Sequence, residues 1–290
     1  MTYTPSTDVL RSSGALRMTP ARWITLAIGV PVILTLIGWT AFGVVTQAAR
    51  ASFPVSYANI PVQSGQLTVG VNSGDVTVRQ GQGSTGRLTG TVNYTLLRPT
   101  VTELRTASGT NFNVNCRVPS GNCGLSATLD VPSRAGLTLS SFGGNLAVSG
   151  VTRSVNLTSE GGDVTVSGVA GIATVSTGGG NLTAGDLAGL LQFNTAGGDI
   201  NGNDLTSPSL NAESGGGNVA VVFTKPPAYL NITSDGGDVT IVLPPGATPY
   251  NISTRSDGGD DSHPVPSSPS AADKIEVDSG GGNISIAEAS

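Results

Sequence analysis

The 290-residue chain carries 41 glycines, 4% aromatic residues and 11% charged residues. Its glycines show no three-residue period, which excludes collagen, and an apolar fraction of 38% excludes wholesale disorder. A net charge of −5, thinly spread, leaves no basic stripe for a phosphate backbone, so nucleic acid is not an expected partner.

Residues 1–22 are polar, contain Arg11, Arg17 and Arg22, show no periodicity, and read as a disordered cytoplasmic tail. From Trp23 to Val45 no residue is charged. At helical rise that run reaches ~34 Å, enough to cross a bilayer core of about 30 Å, and membrane helices tolerate the Pro31 it contains. Three arginines precede it and only Arg50 follows closely. The positive-inside rule therefore puts the N-terminus in the cytoplasm and everything after Ala51 outside: a single-pass cell-membrane topology with an extracytoplasmic C-terminal domain. The rival reading is a cleaved signal peptide with a small-x-small site at Ala49-Arg50-Ala51. The apolar run is longer than the about 7 to 15 residues of such peptides.

Residues 46–64, with Pro54 and Pro61, read as a stalk or linker. Residues 65–136 read as an irregular β capping region. They begin with the alternation Leu67, Val69, Val71 and a repeat-like Gly74-Asp75-Val76-Thr77-Val78, and carry Arg79, Arg87, Arg98, Arg105 and Arg117. Cys116 and Cys123 are the only cysteines, with the turn formers Pro119, Gly121 and Asn122 between them. In an oxidising compartment they are expected to pair across a hairpin.

Residues 137–290 repeat one phrase: glycines, then Asn or Asp, then alternating apolar residues. Asn145, Asp163, Asn181 and Asp199 recur every 18 positions, and Asn218, Asp238 and Asn283 continue with looser spacing. In the same register one apolar column runs through Leu137, Val155, Ala173, Leu191, Leu210 and Leu230. A second runs through Leu146, Val164, Leu182, Ile200, Val219 and Val239, and a third position holds Val151, Val169, Leu187 and Leu205. Apolar residues alternate with Thr, Ser or Asn, so one strand face is buried and the other wet. A unit this short cannot bury its face alone, so copies must stack. The expected fold is all-β: a right-handed parallel β-helix or β-solenoid with coils of about 18–20 residues, preceded by one transmembrane helix. A Pro/Ser/Ala-rich segment at 256–273 interrupts the pattern and reads as a flexible loop.

The Asn/Asp column (Asn145, Asp163, Asn181, Asp199, Asn218, Asp238, Asn283) reads as a structural turn ladder, made of residues that tolerate φ > 0, with Asn keeping carboxylates apart. Calcium is the competing reading, but calcium-binding β-rolls repeat every nine residues. No metal, cofactor or catalytic residue is expected: the sole histidine, His263, sits in the Pro/Ser-rich loop, and the acids and bases are not gathered.

Gly-Gly-Asp/Asn-Val-Thr-Val repeats behind one N-terminal anchor resemble the bacterial putative adhesin family of β-strand-repeat proteins, a domain of unknown function; the similarity spans about Gln66 to Ser290. The resemblance implies a β-helix-like extracytoplasmic domain in adhesion or envelope sensing and transfers no catalytic residue. The expected function is a membrane-anchored, surface-exposed, non-catalytic adhesin-like binding or structural module, meeting cell-wall or host glycans or surface proteins. An envelope-stress sensor working through a membrane partner is the alternative, and a carbohydrate-active β-helix enzyme the third reading.

Overall fold

The computed structural model describes residues 29–37, 39, 50–116, 123–246 and 249–289. They fall into two units, Met1–Ala49 and Arg50–Ser290. In the first, residues 29–37 are helical and Val32, Ile33, Leu34, Leu36 and Ile37 are exposed. Among the described residues no helix is long and apolar enough to cross a membrane. The tail 1–22 and most of the expected span 23–45 lie outside them.

The second unit opens with β1 (Arg50–Ile60), β2 (Gln66–Val71), β3 (Gly74–Gly81), β4 (Gly86–Thr95), β5 (Thr100–Thr106), β6 (Gly109–Asn115) and β7 (Gly124–Pro132). A regular part follows in pairs: β8 (Gly136–Ser141) with β9 (Leu146–Ser149), β10 (Val155–Ser159) with β11 (Val164–Ser167), and β12 (Ala173–Thr177) with β13 (Leu182–Gly185). It continues through β14 (Leu191–Thr195) and β15 (Ile200–Leu205), β16 (Ser209–Ser214) and β17 (Val219–Phe223), and β18 (Tyr229–Ser234) and β19 (Val239–Leu243). The chain closes with β20 (Asn251–Ser256), β21 (Asp261–Ser262), β22 (Lys274–Ser279) and β23 (Ile284–Glu288).

Each coil gives one strand to each of two sheets. Twelve strands form the first, in the order β1-β4-β7-β3-β9-β11-β13-β15-β17-β19-β23-β21; eleven form the second, in the order β20-β22-β18-β16-β14-β12-β10-β8-β2-β6-β5. The register is the one read from the sequence. Val155 lies between Leu137 and Ala173, Val164 between Leu146 and Leu182, all in parallel pairs. Both apolar columns point into one shared core, and Val151, Val169, Leu187 and Leu205 close its corner. Stacking is what makes this stable, since each large side chain gains about 1.5–3 kcal/mol only when the coils above and below cover it.

The coils are not stacked in chain order at either end. The β2/β3 coil lies between β8/β9 and β6/β7, and the β22/β23 coil lies between β18/β19 and β20/β21. Both the first and the last coil of the chain are therefore interior.

Three expectations are corrected. Residues 50–60, read as part of a stalk, form β1, which pairs antiparallel with β4; Phe53, Val55 and Tyr57 pack against the core. Their alternation of apolar and small polar residues is a strand pattern, and Pro54 is tolerated because β1 is an edge strand. The segment 256–273, read as a flexible loop, contributes β21 and then folds over the end of the stack. Val265 and Tyr250 are buried there, and Tyr250 exchanges backbone hydrogen bonds with Pro266 and Ser268. Positive φ is the third correction. It is absent from the Asn/Asp ladder and falls five positions later, at Gly150, Gly168 and Asp186 just after a short strand and at Asp204 in the irregular part of β15.

Candidate binding surface

The turn ladder is held by side chain to backbone bonds. Asn145 N–H donates to Asp75 Oδ1, Asp163 N–H to Asn145 Oδ1, and the relay repeats through Asn181, Asp199, Asn218 and Asp238, at 2.7–2.9 Å. It then passes to Asn283, whose N–H donates to Asp238 Oδ1, and ends at Asp260, whose N–H donates to Asn283 Oδ1. In space the column therefore reads Asp, Asn, Asp, Asn without a break from Asp75 to Asp260. Chain order would place Asp260 beside Asp238; interleaving the last coil puts Asn283 between them. With coils ~4.8 Å apart, alternation moves carboxylates to ~9.6 Å and halves their repulsion in water, from roughly 0.9 to 0.4 kcal/mol per pair.

Behind it runs a second column that the sequence reading missed. Thr177 Oγ1 donates to Gly162 O at 3.1 Å and accepts from Gly180 N–H at 3.1 Å. Thr195, Ser214 and Ser234 do the same one coil at a time, as do Ser279 and Ser256 at the end. Each hydroxyl satisfies two backbone groups of the turn, which is why a buried polar atom is stable there. The signal was present as Ser or Thr four positions before each amide or carboxylate from Asn145 onward, inside Ser/Thr-x-Gly-Gly-Asn/Asp. The second glycine is needed for space: a Cβ at Gly162 would stand 2.0 Å from the carbonyl oxygen of Gly144.

Cys116 and Cys123 form a disulfide with a Cα–Cα distance of 6.1 Å, immediately before β7. Among the described residues no three His, Cys, Asp or Glu side chains converge on a point where a metal could sit.

The ladder is internal wiring; what faces outward are the flat sheets. On the second sheet the outward positions stack as Asn156, Thr174, Gln192, Asn211 and Asn231, beside Thr158, Ser176, Asn194, Glu213 and Thr233. Neighbouring coils link across this face, with Asn194 Nδ2 donating to Glu213 Oε2 at 3.2 Å and Asn231 Nδ2 to Asn211 Oδ1 at 2.9 Å. A shallow trough of about 200 Å³ lies among Thr174, Gln192, Asn194, Asn211 and Glu213. Along its border Ile172, Leu190 and Tyr229 are exposed. Tyr229 Oη and Lys274 Nζ both donate to Glu276, 3.0 and 2.5 Å away. The lysine first, then the tyrosine, hold that carboxyl below its usual range. A larger cleft of about 580 Å³ opens across β1, β4, β7 and β3, with Arg50, Asp75, Asn93, Tyr94 and Ser126 in its walls. Both depressions are lined by amide, hydroxyl and carboxylate side chains, an arrangement that can hold a polar surface.

No curated protein matches the chain. Two solved structures are similar to the chain at low identity. One is a putative cell adhesion protein from Clostridium sporogenes, 12% identical, with a TM-score of 0.29 over 82% of this chain and 100% of that one. The other is a putative adhesin from Bacteroides fragilis, 13% identical, with a TM-score of 0.49 over 81% of this chain and 97% of that one. The family model Toastrack DUF4097 matches residues 51–287, nearly the whole folded unit, and the chain belongs to that family.

Proposed function

We propose that the protein is a single-pass, membrane-anchored surface module that binds through the outer face of its second sheet and carries out no chemistry. The observation that carries this reading is the face itself: stacked columns of amide and hydroxyl side chains, bordered by exposed Ile172, Leu190 and Tyr229, on a fully buried core. Amides and hydroxyls at fixed spacing suit the hydroxyl groups of glycans or the polar surface of another protein, and the exposed apolar border supplies contact area. The anchor is supported by the uncharged run Trp23 to Val45, by the helical residues 29–37 within it, and by the arginines on its N-terminal side.

The test is a binding screen of the Arg50–Ser290 fragment against cell-wall glycans and host-matrix proteins, run beside a polysaccharide-cleavage assay. Saturable binding that is lost in Gln192→Ala/Asn211→Ala, without product release, supports the module. Turnover of any glycan, or binding untouched by these changes, overturns it. Protease added to intact cells should remove the folded unit; protection until the membrane is opened would refute the orientation.

A further inference from the structure

At the corner where β4 leads into β5, apolar and basic groups meet. The link from β4 to β5 begins with a three-residue turn closed by Leu97 N–H on Thr95 C=O, with Leu96 at its centre at φ 65°. A non-glycine residue in that region is held at a cost, and such strain collects where a side chain must be presented. Here it presents Leu96 and Leu97 side by side, 42% and 53% exposed. Single exposed leucines are ordinary; an adjacent pair on a strained turn is not.

Two arginines flank the pair. Arg50 lies opposite Thr95 at the start of β1, and Arg98 follows Leu97 with its guanidinium 4.2 Å over the Phe53 ring. Neither takes part in an ion pair among the described residues. Arg50 is also where the chain enters the unit. The surroundings have the same polarity: residues 50–136 hold seven arginines and three acids, whereas residues 137–290 hold four basic and fifteen acidic residues.

We propose that this corner docks on an anionic phospholipid bilayer, with Leu96 and Leu97 entering the headgroup region and Arg50 and Arg98 meeting lipid phosphates. Charge complementarity selects the partner, since an anionic leaflet attracts the basic end and repels the acidic stack, which fixes the unit end-on. The role is separate from ligand binding by the second sheet and does not depend on it.

The test is co-sedimentation of the Arg50–Ser290 fragment, which holds every strand and the whole core, with vesicles that contain neither glycan nor protein. Vesicles of phosphatidylcholine alone are compared with vesicles containing one-third phosphatidylglycerol. The fragment should pellet with the anionic vesicles and be released by salt. Leu96→Ser/Leu97→Ser should weaken partitioning at least about tenfold, and Arg50→Gln or Arg98→Gln about fivefold each. Leu190→Ser, on the second sheet, should change nothing, and melting curves should show all variants folded. No pelleting, equal pelleting with neutral vesicles, a leucine-pair variant that binds like the parent, or an equal loss from Leu190→Ser would each overturn the proposal.

Discussion

In residues 137–243 every coil repeats the one before it, whereas residues 50–136 finish the same two sheets with strands that, β2 and β3 apart, follow no repeat. The difference is one of task. An interior coil has a neighbour on both sides and needs only to match it, so column identity suffices. The end of a stack must refuse a neighbour. At the proximal end β1 and β4 run antiparallel on the first sheet and β5 antiparallel on the second, breaking the parallel template. Tyr57 against Phe112, ring centroids 4.8 Å apart, and Arg105 bonded to the carbonyls of Ala58 and Asn59 draw the two edges together. At the distal end a loop with Val265 and Tyr250 does the same work.

Four substitutions press on this contrast. Val166→Asp, in the regular core, should remove more than about 4 kcal/mol and unfold the unit, because the carboxylate has neither water nor partner. Val101→Asp, half-exposed on the edge strand β5, should cost only about 1–2 kcal/mol. Chemical denaturation measures both, and equal losses would mean that the cap is as intolerant as the stack. Replacing Cys116 and Cys123 together by Ser should cost about 2.5 kcal/mol, on the entropy of the short loop they close. Hydrogen exchange should locate that loss in β6 and β7, leaving β12 to β17 protected; uniform deprotection would show that cap and stack melt as one.

A smaller effect tests the coil order. Asn283→Asp should create three consecutive carboxylates in space, Asp238, position 283 and Asp260, although these lie in separate stretches of sequence. The expected loss is roughly 0.5–1 kcal/mol, relieved by salt and equal to that of Asn181→Asp in the middle of the stack. A neutral result at 283 beside a loss at 181 would contradict the interleaved ending.

An effect of similar size belongs to the distal cap. Burial, with a lesser contribution from the Asp273 charge, pushes the Tyr250 hydroxyl up to about 12. The folded state thus keeps its proton while the unfolded state loses it near the ordinary tyrosine value of 10.0. The contribution is intact below that value and is lost as pH rises from there through about 12. Among the described residues the hydroxyl has no hydrogen-bond partner. Tyr250→Phe should therefore raise stability at neutral pH by up to about 1 kcal/mol and flatten the alkaline loss. An unchanged alkaline limb in thermal melts would assign it to another group.

The two apolar columns and the ladder were legible because an 18-residue period leaves one solution for which residue sits above which. The disulfide was legible from the spacing of Cys116 and Cys123 and the turn formers between them. The Ser/Thr column was not, because Ser159 or Thr177 looks like any wet strand residue until the turn closes over it. β1 was hidden by Pro54 within it and Pro61 just after it. The coil order was hidden by the assumption that neighbours in sequence are neighbours in space, yet its trace was there: Asp238 followed by Asp260 breaks the Asn/Asp alternation, and Asn283 repairs it only from between them. The outward faces gave no ligand, since Thr, Asn and Gln serve solvent and partner alike.

Interleaving at the two ends also sets an order in time. A chain that emerges from its N-terminus can add the coils from β8/β9 to β18/β19 one upon the next, each finding its template ready. The β20/β21 strands are then made before β22/β23, the coil they pair with in the finished stack. The distal end is therefore completed only when β22/β23 is in place, and a chain lacking that one segment should be missing two layers of its structure.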